Sequence, residues 1–219
     1  MSSLDVIDYR KRIAYAVIFA VAMGYFEAAV VVYLRQIFYP GGFSFPLKII
    51  PTNLLKVELA REFATMIMLA AAAALAGKRF WERFGYFIIM FGIWDIFYYV
   101  WLNVAIAWPA SFFDWDILFL IPLPWIGPVI APVLISIMMI ISGVIIVRLF
   151  ARGRSFCPTV LAWVFALIGT AAILFSFMRD TDATLHQRMP SPYLYSFLLI
   201  GLICYAIAFW HSYRNSKSL

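Results

Sequence analysis

Six apolar stretches, each about as long as a bilayer-crossing helix, constrain this chain more than any motif in it. They fall at roughly 13–38, 54–77, 84–108, 127–150, 159–178 and 193–213. A helix needs about 20 mostly apolar residues to cross a hydrocarbon core of about 30 Å. A soluble domain does not carry 65% hydrophobic and 13% charged residues with a mean hydropathy of +0.93. The expected fold is therefore all-α: a polytopic membrane protein, residues 1–219 forming one transmembrane domain of six helices in one bundle.

The breaks between stretches have local causes. Pro40-Gly41-Gly42 and Pro46 end the first helix, and Thr52 or Asn53 is the expected N-cap of the second. Pro109 stops the third. Pro122, Pro124, Pro128 and Pro132 are too dense for a regular helix interior, because each removes an amide donor and crowds the preceding turn. The spacing predicts a short interfacial or re-entrant segment over 115–123, N-capped by Asp114, before helix four. Pro128 then falls in the first turn of that helix and Pro132 is expected to kink it. The alanines at 70–74 are expected to pack a neighbouring helix closely. Residues 4–9 suit a turn or two of interfacial helix, and the following run reads as a retained signal anchor, being longer than a cleaved h-region. The tail from Arg214 is expected to fray.

Basic residues set the expected orientation. The head, the 78–83 turn, the 148–154 turn and the tail together hold eleven Lys and Arg, whereas the opposite ends hold six. The positive-inside rule then puts both termini in the cytoplasm of a cell with the protein in its inner membrane. The formal charge of +6 follows from the same turns, so nucleic acid is not an expected partner. Cys157 and Cys204 are too few for a disulfide framework and read as reduced packing residues.

Charges inside the apolar stretches single out a site. Glu27, Glu62 and Asp95 lie about 16, 12 and 20 Å in from the outer helix ends at 1.5 Å per residue, one carboxylate layer on three helices. Intramembrane ionisable groups face a protein interior or a wet cavity and have partners. Arg35 shares a face with Glu27, Arg61 is one turn from Glu58, and Tyr99 and Asn103 continue the stripe begun by Asp95. Arg61 and Glu62 are adjacent and cannot point the same way, so one of them needs a partner on another helix. The expected ligand-binding set is Glu27, Arg35, Glu58, Arg61, Glu62, Asp95 and Tyr99, with Arg35 near the mouth. Trp101 and Trp108 read as interfacial anchors.

Three functions can use such a cluster. It can bind or conduct a small polar or ionic ligand, which is the main reading. It can belong to a non-catalytic subunit of a larger membrane complex. It can also hold a hard cation such as Mg²⁺, Ca²⁺ or Mn²⁺ with help from His186 in a metal-dependent membrane enzyme; two histidines are too few for a usual catalytic zinc. A salt-bridge network that only fixes helix packing is the structural alternative to all three. No phosphate loop, dinucleotide glycine pattern, His-Glu-x-x-His, Cys-x-x-Cys or Gly-x-Ser-x-Gly points to a cofactor or nucleophile. The lipid bilayer and the small ligand are the expected partners.

Overall fold

A computed structural model describes the backbone of residues 3–48 and 50–218, and side chains from Asp8 onward. The start of the head and Leu219 lie outside the described residues. Among the described residues the chain is mostly helical, and six helices are long and apolar enough to span a membrane. These are α1 (Ser3–Phe38), α2 (Thr52–Ala76), α3 (Phe80–Ile106), α4 (Ile130–Ala151), α5 (Val160–Met178) and, after the short α6 (Thr181–Leu185), α7 (Tyr195–Arg214). The head is not a separate interfacial turn: α1 runs through it without a break, helped by an Asp8–Arg12 pair one turn apart.

Between α3 and α4 the segment expected to be interfacial or re-entrant takes the form of a β-hairpin, not of a helix capped by Asp114. Strand β1 (Trp115–Phe119) pairs antiparallel with β2 (Trp125–Pro128), with a register irregularity between Ile117 and Phe119. The prolines do exclude a helix here, but Pro122 and Pro124 sit in the turn, where no ladder bond is required of them. Asp114 does not cap a helix. Its carboxylate accepts the Ala110 and Ser111 amides at 2.8 and 3.1 Å, closing the loop that feeds β1. Pro128 ends β2, and α4 starts two residues later. Pro132 is thus in the first helical turn, where its missing donor has no partner to lose, so no kink is needed. Helix α2 follows Pro51 with no side-chain cap from Thr52 or Asn53.

Helix packing is uneven along the chain. Helix α3 packs most extensively on α1 and α4, and α5 on α7. Glycines of α3 and α4, rather than the alanine run of α2, of which only Ala73 is buried, bring these two helix backbones close together. A Cβ on Gly92 would stand 2.6 Å from the Ser136 carbonyl, and one on Gly143 would stand 2.6 Å from that of Gly85. Small residues let the backbones meet. Around that contact Ala20, Leu69, Tyr86, Ile89 and Met90 form a core shared by α1, α2 and α3.

The tail is tied rather than frayed. Lys217–Ser218 (β4) pairs with Arg154–Ser155 (β3), and the Arg154 guanidinium donates to the Ser216 hydroxyl at 2.6 Å. At the other end of the helices, the Thr181 hydroxyl donates to the Pro124 carbonyl at 3.0 Å, joining the α5–α7 connection to the hairpin turn. Cys157 and Cys204 are free thiols.

Candidate functional site: an acidic cavity under the hairpin

Helices α1, α2 and α3 and strand β1 enclose a cavity of about 120 Å³. Glu27, Arg35, Glu58, Arg61, Glu62, Asp95 and Tyr99 all line it. The helical periodicity explains the convergence: Glu58, Glu62 and Thr65 recur at three- and four-residue spacing on one buried face of α2.

The two arginines are both engaged by carboxylates. Arg61 reaches across to Glu27 of α1 and also holds Glu58, one turn earlier on its own helix, at 2.8 Å. Glu62 takes a different course. Both its oxygens accept the Leu120 amide, at 3.1 and 3.0 Å, so α2 grips the end of the hairpin rather than another side chain. The divergence of the adjacent Arg61 and Glu62 is resolved by this partition between α1 and the hairpin.

Arg35 is not near an open mouth; it is 7% exposed. Its guanidinium donates to Asp116 at 2.9 Å and lies against the rings of Phe43 and Trp108, 4.1 and 3.6 Å from their centroids. A planar cation between two aromatic faces is held by their quadrupoles as well as by its carboxylate. Trp108 is therefore part of the Arg35 clamp, not a free interfacial anchor, and the Trp101 indole donates to the Val21 carbonyl of α1 at 3.1 Å.

Asp116, which is absent from the site expected from sequence, is 2% exposed and is the centre of this end of the cavity. Besides Arg35 it accepts the Tyr98 hydroxyl at 3.3 Å. Burial pushes its carboxyl above the ordinary range, and Arg35 together with the hydrogen bonds it accepts pulls the other way. Asp95 accepts the Ser136 hydroxyl of α4 at 2.8 Å, a contact that the glycine-mediated approach of α3 and α4 makes possible. Tyr99 is buried on the wall, whereas Asn103, at the end of its stripe, turns away and donates to the Pro109 carbonyl at 2.9 Å.

The residues that sequence alone does not single out share one property: their roles depend on the hairpin or on a neighbouring helix. Asp116 begins a short strand of β-prone residues closed by a proline turn, a signal that reads as a hairpin if the segment is not forced into a helix. Ser136 and Phe43 carry no signal of their own. His186 does not join the carboxylates. It is exposed and pairs with Asp182 at 2.8 Å in the α6 region. Among the described residues, no three His, Cys, Asp or Glu side chains converge closely enough to hold a metal ion.

Compared with protein-family models, with curated proteins and with solved structures, the chain matches none.

Proposed function

We propose that this is a multi-pass inner-membrane protein, with both termini cytoplasmic, whose hairpin-covered cavity binds or conducts a small polar or ionic ligand. The observation that carries this reading is the lining: five carboxylic acids and two arginines from three helices and a strand share one space inside otherwise apolar helices. Groups whose only task is to fix helix packing need no empty volume between them, and ionisable groups at such depth normally serve a ligand or proton path. The aromatic clamp and the hairpin amide add fixed partners, so the space between the charges keeps its shape. A cavity of this size has room for on the order of ten water-sized positions, which limits the ligand to a small molecule or ion.

Melting of the protein purified in mild detergent, against small cations, anions, zwitterions and neutral polyols, tests the reading. At least one class should raise the melting temperature of the unaltered protein and leave Glu62→Gln and Asp95→Asn unmoved. No stabilisation by any class, or equal stabilisation of both variants, would refute a ligand site here.

A further inference from the structure

At the end of the helices opposite the hairpin, the start of α1, the α2–α3 turn and the last residues of α4 border a second cavity, of about 370 Å³. We propose that it takes the phosphate of an anionic phospholipid whose acyl chain lies in the adjoining groove between α4 and α7; this rests on the membrane placement put forward above and not on the cavity under the hairpin. Charge carries the first part. Four cations, Arg12, Lys78, Arg79 and Arg152, line the cavity against two carboxylates, Asp8 and Glu82. Both carboxylates are engaged within the fold: Asp8 pairs with Arg12, and Glu82 accepts the Lys78 and Arg79 amides at 2.8 and 3.4 Å. Arg12 is anchored further by the Ala76 carbonyl at 3.2 Å. Among the described residues, the side chains of Lys78, Arg79 and Arg152 have no carboxylate within ion-pair distance. Their basic neighbours differ, since Arg83 donates to the Gly77 carbonyl at 3.1 Å and Arg154 to the Ser216 hydroxyl at 2.6 Å. Basic turns that only set orientation need no shared concave space, whereas basic pockets between membrane helices take lipid headgroups. Guanidinium forks match phosphate oxygens in pairs, and the lysine ammonium adds a point charge.

The second part rests on a different observation. Arg152 also lines a groove of about 320 Å³ bordered by Ile145 and Leu149 of α4 and by Phe209 and Trp210 of α7, so the charged cavity and the apolar groove meet at one residue. Ile145, Leu149 and Arg152 recur at helical spacing along one face, and Arg148, one turn before Arg152, borders the same groove. Trp210 is 59% exposed and stacks on Tyr213 with ring centroids 6.3 Å apart. Such amphipathic rings sit at the headgroup level of a bilayer. A free phosphate ion would use the cavity and leave the apolar groove beside it unused. A zwitterionic lipid would bring a cation of its own to a lining that already has four. An anionic phospholipid matches both spaces.

The test uses the full chain, stripped of lipid in a neutral detergent, with melting temperature as readout. Phosphatidylglycerol and phosphatidylcholine with identical chains are added at matched mole fractions, and glycerophosphoglycerol, the deacylated headgroup, at the same total concentrations. Phosphatidylglycerol should reach half-maximal stabilisation at a mole fraction at least about tenfold below that of phosphatidylcholine, and the deacylated headgroup should not stabilise over the same range. Lys78→Gln/Arg79→Gln and, separately, Arg152→Gln should remove the preference. Lys56→Gln/Arg188→Gln, which takes two charges from exposed positions toward the other end of the helices, should keep it. Equal response to the two lipids, or none, would overturn the site, as would a preference retained in Lys78→Gln/Arg79→Gln. Loss of the preference in Lys56→Gln/Arg188→Gln would trace it to net charge and overturn the site as well. A headgroup as effective as the lipid would overturn the part assigned to the groove. A chain that stays monodisperse once detergent is removed would refute the membrane placement and the lipid site with it. The comparison of the three compounds in the unaltered protein decides the matter even if a variant does not fold.

Discussion

Arg35 and Asp116 are 81 residues apart in sequence and 2.9 Å apart at the cavity wall, with 7% and 2% of their surfaces exposed. This pair fastens the hairpin to α1, while Glu62 fastens its far end to α2 through the Leu120 amide. The cover of the cavity is thus held by the same class of groups that line it, so a change in the carboxylates Asp116 or Glu62 acts on the lining and on the placement of the hairpin together.

Asp116→Asn should destabilise strongly. Removing one member of a buried ion pair leaves the other charge uncompensated, at a cost of about 3 to 5 kcal/mol. The melting temperature in detergent should fall sharply, and Arg35→Leu combined with Asp116→Leu should recover a large part of the loss. A double variant as unstable as the sum of the two single changes would show that the pair is not coupled.

Glu62→Gln should behave differently, because glutamine keeps an oxygen to accept the Leu120 amide. Its stability change should stay within about 1 kcal/mol, the usual net worth of one neutral hydrogen bond, while ligand response disappears. Glu82→Gln is the control. Glu82 accepts the Lys78 amide at 2.8 Å at the start of α3, away from the cavity, and glutamine preserves that acceptor. Equal melting and equal ligand response in both variants would contradict the placement of Glu62 at the site.

Gly92→Ala should separate α3 from α4. The added methyl would stand 2.6 Å from the Ser136 carbonyl, and overpacking of a tight contact costs about 1 to 3 kcal/mol. Because Ser136 also donates to Asp95, ligand response should weaken with stability. Gly41→Ala, with nothing within 4 Å of the new methyl, should melt within about 0.5 kcal/mol of the unaltered protein.

Orientation is checked by labelling from outside the cell in a Cys157→Ser background. Met189→Cys, on the exposed connection after α6, should react, and Lys217→Cys should be protected until the membrane is opened. The reverse pattern would invert the assignment drawn from the basic turns.

Much of this protein follows from local chemistry alone. Runs of apolar residues of about membrane length must become helices wherever water is excluded, since no other structure of a single segment satisfies its own backbone. Proline and glycine end those helices, and charges at unusual depth in Glu27, Glu62 and Asp95 announce a polar place between them, all without knowledge of neighbours. Tertiary structure decided what each charge meets. Whether Glu62 faces an arginine or an amide, whether Arg35 lies at an opening or under two aromatic rings, and whether 115–128 forms a helix or a hairpin depend on contacts between residues as far apart as Arg35 and Asp116. The density of prolines ruled out a regular helix in that segment, but strand pairing is a non-local bond whose partner no short window contains. The tight approach of α3 and α4 is of the same kind: Gly92 and Ser136 are ordinary in isolation, and only the missing Cβ opposite a carbonyl brings Asp95 its hydroxyl partner.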